Sequence, residues 1–220
     1  MDALENILTR RSFRAFKNDE IARSDLEKIL DTVRHSPSYM NTQPWEVAVV
    51  LGSQKEALSK ILMGLIEEKK PISPDIPKPS DWPDPLEARL REHGARRLKT
   101  LGIERDDQES RGNLTLRNYE FYSAPCALFV YCEGGVGEWS VFDLGLFTQS
   151  LVLAASALGI GSCIQASVVD YAKEIKQFLA IPVEKKLIVC ISIGYPDREA
   201  KLNEYQSLKK EVVDFVKWYE

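Results

Sequence analysis

The spacing of apolar residues changes along the chain, and each change marks an element. Residues 2–9 carry Ala3, Leu4, Ile7 and Leu8 at helical spacing, which predicts a short helix. Ser24, with Glu27 three residues on, has the form of a capping box. The helix it opens carries Leu26, Ile29, Leu30 and Val33 on one face, and Pro37 ends it. Residues 47–51 are an unbroken apolar run before Gly52, the pattern of a buried strand. Helical periodicity returns over 54–69. Residues 71–85 then hold six of the chain's eleven prolines, a density that predicts a long loop.

Residues 86–101 read as a strongly charged helix, and 105–122 as another, with Gly112 a weak point inside it. A second buried strand is expected at 127–131, followed by a glycine-rich turn at 134–137. Residues 139–158 predict a long core helix closed by Gly159. Another helix fits 171–179, stopped before Pro182. A third central strand fits 187–193, ended by Gly194. The tail at 212–218 fits either a helix or a β-arm. Helices and strands mix without strict alternation, which points to an α+β fold.

Residues 144–164 are mostly apolar and about long enough to span a bilayer. Thr148, Gln149, Ser150 and Ser156 interrupt them, so a buried core helix is expected and no membrane partner. The chain has 220 residues, 44% hydrophobic and 28% charged, which suits one domain over 1–220. Its net charge of −4 gives no basic excess for nucleic acid. Cys126, Cys132, Cys163 and Cys190 form no C-x-x-C pair and read as buried free thiols, which suits a reducing, cytoplasmic setting. The first residues are too polar for a signal peptide. His35 and His93 have no metal-like or triad-like neighbours, so neither a metal nor a role for either histidine is expected. There is no P-loop and no G-x-G-x-x-G opening a βαβ unit.

Against this mildly acidic background, Arg10-Arg11-Ser12-Phe13-Arg14 stands out. A packed core does not need that density of guanidinium groups, whereas a phosphorylated ligand does, because Arg presents a planar fork of donors. A solvated helix end, with Arg against the helix dipole, is the alternative for the cluster taken alone. The second polar cluster, Pro37-Ser38-Tyr39-Met40-Asn41-Thr42-Gln43-Pro44-Trp45, decides between them.

Together the two clusters resemble the FMN-dependent nitroreductase family. The likeness continues through Leu158-Gly159-Ile160-Gly161-Ser162-Cys163-Ile164-Gln165-Ala166 and Ile193-Gly194-Tyr195-Pro196-Asp197 to the tail from Asn203 to Trp218. It covers nearly the whole chain, in the family's order. Leu101-Gly102-Ile103, Arg105, Asp107 and the Cys163–Ala166 stretch are most similar to the nitrobenzoate reductase branch. The resemblance implies a central mixed sheet flanked by helices, in an interlocked homodimer. The C-terminal arm, 203–220, would add a strand to the partner's sheet. It also implies bound FMN, with NADH or NADPH as donor and a small-molecule nitroaromatic or quinone-like acceptor, in a ping-pong cycle.

Carried over residue by residue, Arg10 and Ser12 take the phosphate side, and Arg11 helps between them. Arg14 takes the N1/O2 edge of the flavin and assists electrostatically, with no side chain acting as catalytic acid. Pro37, Ser38 and Asn41 come from the second subunit, unless they serve only local turns. Ile164 covers one ring face, and the Gln165–Ala166 backbone offers the N5 donor. Cys163 replaces a proline common in relatives and reads as an inert thiol beside the flavin. Lys209 fills the position of the family's phosphate-binding Arg, with Lys210 as fallback. The stretch 70–112 is expected as an excursion near the active site, and within it residues 71–101, with Trp82, Arg89 and Arg96, to roof the cleft and select the acceptor. Two alternatives stay open. One is a reductive dehalogenase like the iodotyrosine deiodinases, whose lid supplies a Tyr that this chain lacks between Tyr39 and Tyr119. The other is a flavin-binding protein without turnover.

Overall fold

A computed structural model describes residues 2–220. Its centre is a four-stranded sheet of order β1-β2-β4-β3. The strands are β1 (Glu46–Leu51), β2 (Cys126–Cys132), β3 (Gly161–Gln165) and β4 (Lys186–Gly194). All three pairings are antiparallel. The sheet is mixed only through one parallel bridge, between Ser12 and Ser162. The helices are α1 (Ala3–Thr9), α2 (Arg23–Val33), α3 (Gly52–Glu67), α4 (Asp84–Leu101), α5 (Gln108–Tyr119), α6 (Glu138–Ala157) and α7 (Ala172–Phe178).

Side chains alternate across a strand, so each central strand feeds two cores. On one face Leu128, Val130, Ile191 and Ile193 pack against Leu26 and Ile29 of α2 and Leu144 and Leu151 of α6. On the other face Ala127, Phe129, Leu187 and Cys190 pack against Leu58 and Leu62 of α3 and Ile175 of α7. Burial on both faces explains why β2 and β4 read as continuous apolar runs.

Several expectations need correction. Helix α2 starts at Arg23 with Ala22 before it, and Ser24 does not cap it. Glu27, the other half of the expected box, accepts a hydrogen bond from Arg23 Nε at 2.8 Å. Strand β1 is an edge strand and only Val50 of it is buried. The residues after Gly159 form β3, which the apolar pattern did not separate from the preceding helix. The apolar stripe of α1 faces outward, with Leu4 at 74% and Leu8 at 84% exposure. In the tail only Val212–Asp214 is regular, as a short 3-10 helix, and residues 215–218 take no regular structure within the single chain.

Helix α6 is long and apolar enough to cross a membrane by length and composition alone. Here its face of Leu144, Phe147, Leu151 and Val152 packs into the first core. Its buried Asp143 accepts the Tyr39 backbone N–H at 3.1 Å. The proline-rich stretch is tied down rather than loose. Asp75 accepts the Leu187 N–H at 2.7 Å and pairs with Lys176. Lys78 pairs with the buried Asp170 at 2.6 Å, and Ser73 N–H donates to the Asp170 carbonyl.

Candidate functional site

The arginine cluster leaves α1 as an extended segment laid along the end of the sheet. Phe13 N–H donates to the Ser162 carbonyl at 2.9 Å, which fixes the segment beside β3. Lys17 N–H donates to the Tyr195 carbonyl at 2.8 Å, and Phe16 bridges Pro196 after β4. Phe13 and Phe16 are buried in a small cluster with Tyr122, Ala124 and Cys163. Two glycines make room for them. A Cβ on Gly161 would sit 2.7 Å from the Phe13 ring, and one on Gly194 would meet Pro125 at 2.6 Å and Phe16 at 3.0 Å. With the phenylalanines inward, the neighbouring Arg10, Arg11 and Arg14 are half-buried.

The C-terminal segment is fastened to the same strip by Asn203, a residue 2% exposed. Its Oδ1 accepts the Arg14 N–H at 2.6 Å. Its Nδ2 donates to the carbonyls of Ala15 at 2.8 Å and Asp197 at 2.7 Å. This brings residues 205–209 opposite the arginines. The result is a cleft of about 600 Å³. Arg10, Arg11, Ser12 and Arg14 line one side; Tyr205, Ser207 and Lys209 line the other. No carboxylate lines it. A cationic, hydroxyl-bearing cleft on a chain of net charge −4 is built for a phosphate-sized anion. Lys209 Nζ donates to Ser207 Oγ at 3.2 Å, while Lys210 turns to the Asp214 carbonyl and does not line the cleft.

Strand β3 carries the next group of expected residues. Ile164 is 41% exposed and Ala166 is exposed, whereas Cys163 and Gln165 are each 2% exposed. The alternation leaves an apolar ledge at Ile164, as a ring-covering residue requires. Gln165 is a structural fastener. Its Nε2 donates to the Asn118 carbonyl at 2.9 Å, and its Oε1 accepts from Ser192 Oγ. Burial pushes the Cys163 thiol up, against the pull of Arg14, Arg97 and Arg10, so it is no thiolate at neutral pH.

Pro37, Ser38 and Asn41 do not line the arginine cleft within one chain. Their loop is held locally: Ser38 Oγ accepts the Gln43 N–H at 3.0 Å, and Tyr39 stacks on Trp139. Met40, Asn41 and Gln43 all have positive φ, of 50°, 60° and 47°. Non-glycine residues take that conformation at a cost, and such strain gathers at binding sites.

The cleft lining also includes His93 of α4, Arg198 and Tyr205, none of which the sequence assigned to the site. His93 Nδ1 and Tyr205 Oη lie 2.9 Å apart. Partial burial and the charges of Arg14, Arg97 and Lys209 hold the His93 pKa below its ordinary value. His93 therefore borders the cleft, although the sequence assigned it no metal or catalytic role. Trp82, Arg89 and Arg96 do not line this cleft, so the excursion meets it through His93 instead. Among the described residues no cluster of His, Cys, Asp and Glu could hold a metal ion.

Comparison with known proteins agrees with this geometry. Residues 7–195 match the family described as the nitroreductase family, and the chain belongs to it. It is 31% identical over 197 residues to the 4-nitrobenzoate reductase of Pseudomonas putida, covering 90% of this chain and 86% of that protein. It is 32% identical over 195 residues to the nitroreductase NfnB of Mycolicibacterium smegmatis, covering 88% and 82%. Among solved structures, the FMN and NADPH-dependent nitroreductase NfnB from sphigopyxis sp. strain HMH superposes with a TM-score of 0.97 at 28% identity, covering 100% of both chains. The FMN-dependent NfnB from Mycobacterium smegmatis, in complex with NADPH, superposes at 0.95 with 29% identity, covering 99% and 98%.

Proposed function

We propose that this chain is a homodimeric, FMN-dependent nitroreductase of the cytoplasm, a single domain over 1–220 that draws on NADH or NADPH. The observation that carries the reading is the convergence of Arg10, Arg11, Ser12, Arg14 and Lys209 on one acid-free cleft at the end of β3. A flavin phosphate fits that set. Arg10 and Ser12 hold it, Arg11 supports them, and Lys209 adds a point charge from the other wall. Bound FMN would supply the redox chemistry, accepting hydride from NAD(P)H and passing electrons to a nitroaromatic or quinone-like acceptor. Arg14 stabilises the negative charge that develops at the flavin's N1/O2 edge, Ile164 closes one face, and the Gln165–Ala166 backbone lies along the ring. No side chain supplies or removes a proton.

The dimer reading is supported by unpartnered apolar surface. Leu4 and Leu8 of α1, Trp139 and Phe142 of α6, and Val213, Phe215 and Trp218 of the tail are all more than half exposed, at 58–84%. Large apolar side chains left exposed in such number point to a surface that a partner covers. In the dimer, Pro37, Ser38 and Asn41 complete the partner's cleft, and the tail lies on the partner. The decisive experiment is a spectrum. The purified protein should be yellow and release FMN on heating. NADH or NADPH should bleach it without oxygen, and a nitroaromatic should restore the colour. A colourless chain that cannot be loaded with FMN overturns the reading. Colour without bleaching would make it a flavin carrier instead.

A further inference from the structure

Every permanently charged side chain that lines the arginine cleft is cationic. The strip after α1 brings Arg10, Arg11 and Arg14, the turn after β4 brings Arg198, and the tail brings Lys209. Arginine and lysine keep their protons throughout the physiological range. One lining group does not. His93 enters from α4, and among the described residues it is the sole lining side chain whose ordinary pKa lies near neutrality. Helix α4 buries none of its 18 residues, so core packing does not explain why His93 stands there. The histidine meets the tail instead. Its ring packs edge-on against Tyr205, with centroids 5.2 Å apart at 65°, and its Nδ1 lies 2.9 Å from the Tyr205 hydroxyl.

That contact serves both charge states of the ring, because a tyrosine hydroxyl can donate or accept. Neutral His93 accepts the Tyr205 O–H at Nδ1 and carries its own hydrogen on Nε2. Protonated His93 donates from Nδ1 to the same oxygen. The ring therefore gains or loses a proton without moving, and Nε2–H is the donor left for a ligand in either state. Partial burial, and then the positive charges of Arg14, Arg97 and Lys209, hold the His93 pKa below its ordinary value, so protein groups alone keep the ring neutral at pH 7. A phosphate monoester reverses that balance. It carries about −1.5 to −2 charge at pH 7. An opposite charge this close favours the charged imidazole.

We propose that His93 is a further binding residue for the flavin phosphate, and that it takes up a proton when the phosphate enters the cleft. The inference rests on the FMN reading and deepens it, adding one group and a pH dependence to the same site. The proton comes from solvent and goes to Nδ1, whose hydrogen bond with Tyr205 reverses direction, while Nε2–H donates to a phosphate oxygen. The site gains charge only when a ligand brings the charge to match it. A monoanion supplies less of that attraction, so the arrangement favours a phosphate monoester over a carboxylate or a phosphodiester. A group that takes up a proton on binding makes affinity greatest at low pH and weaker as pH rises toward the bound-state pKa. The phosphate's own second pKa, about 6, weakens binding only below that value.

The test titrates full-length apoprotein with FMN, read by flavin fluorescence, between about pH 6.5 and 8.5, above the phosphate's own titration. The wild-type Kd should rise at least about threefold across that range, against a ceiling of about tenfold per pH unit for one proton. His93→Gln keeps an N–H donor but cannot titrate, so its Kd should stay flat. Riboflavin, which lacks the phosphate, should bind the wild type without the slope. Calorimetry of FMN binding at about pH 7.5, in buffers of different ionisation enthalpy, counts the protons directly and should show net uptake by the wild type. It decides alone if His93→Gln does not fold. Parallel pH profiles for the wild type and His93→Gln, or no net proton uptake, overturn the inference, while FMN binding itself leaves the reductase reading standing. A riboflavin profile as steep as that of FMN also overturns it, because the proton would then answer to the ring. A chain that binds no FMN at any pH fails the reductase reading, and the inference falls with it.

Discussion

The side chain of Asn203 accepts the Arg14 backbone N–H at 2.6 Å, across 189 residues of sequence. Its other two hydrogen bonds go to Ala15 and Asp197. One amide thus joins the arginine strip, the end of β4 and the segment that carries Lys209. The two walls of the cleft are held in register by a buried residue that does not line it. Asn203→Ala leaves the Arg14 N–H without its acceptor and should cost about 3 kcal/mol, the scale of a buried donor without a partner. Urea unfolding would measure that loss, and flavin fluorescence the weaker FMN binding that follows. Asn203→Asp keeps the acceptor and should recover part of both. Full stability in Asn203→Ala would remove the residue from this role.

Phosphate binding should follow the chemistry of each cation. Arg10→Ala should weaken FMN binding by about 1.5–3 kcal/mol, the range for charge-assisted hydrogen bonds. Lys209 is exposed and braced only by Ser207, so Lys209→Ala should cost less than Arg10→Ala. Lys209→Arg supplies a fork where a point charge stands and should tighten binding. Titration of the apoprotein with FMN at two salt concentrations separates these effects. Equal affinities for all three variants and the parent would place the phosphate elsewhere.

Much of the fold was legible because its longest elements keep one period. The core stripe of α2 and the apolar runs of β2 and β4 follow directly from burial. What failed did so where tertiary partners outweighed local pattern. Glu27 could have capped α2, but it pairs with Arg23 across one helical turn instead. Strand β3 has the sequence Gly-Ser-Cys-Ile-Gln, too short and too mixed to stand out after an apolar helix. Its pairing with β4, and its bridge to Ser12, make it a strand. The arginines and Lys209 were legible as a dense motif in a familiar order. The position of His93 was not, because only the lie of α4 brings it to the cleft.

The thiols give a prediction about chemistry that should not happen. All four cysteines are free and buried. Burial raises the Cys126 pKa to about 12 despite Lys55, and raises Cys132, Cys163 and Cys190 as well. The thiolate is the nucleophile, so native protein at pH 8 should react with iodoacetamide only through unfolding. Mass spectrometry should find no label in the native state and four labels after denaturation. Rapid labelling of Cys163 alone would mean that the arginines beside it outweigh its burial, and would give it a reactive role next to the flavin.

Assembly can be tested at the tail. Val213, Trp218 and Tyr219 are 82%, 79% and 89% exposed in the single chain, where no strand takes them up. Ending the chain after Lys210 removes these side chains while leaving Asn203 and Lys209 in place. If the tail clasps a second copy, the truncated protein should dissociate at concentrations where the parent is dimeric. It should also lose FMN, because Ser38 and Asn41 then leave the partner's cleft. Sedimentation and the flavin spectrum would record both. A truncated chain of unchanged assembly and colour removes the tail from the interface.

Arg14 should matter to rate more than to retention of the cofactor. Its backbone N–H is fixed by Asn203, which sets the root of the side chain at the cleft before any substrate arrives. A charge positioned in advance stabilises developing negative charge with little reorganisation. Arg10, Arg11, Ser12 and Lys209 still hold the phosphate when Arg14 is removed. Arg14→Ala should therefore keep FMN yet slow its reduction by NADH or NADPH at least about tenfold, or 1.4 kcal/mol. Anaerobic stopped-flow at the flavin band reads this directly. Donor and acceptor share one open flavin face in this reading, so double-reciprocal plots should run parallel in both parent and variant. Intersecting plots would require a separate nucleotide site. A variant that reduces FMN at the parent rate would leave the N1/O2 charge to another cation, and Arg97 would be the first to examine.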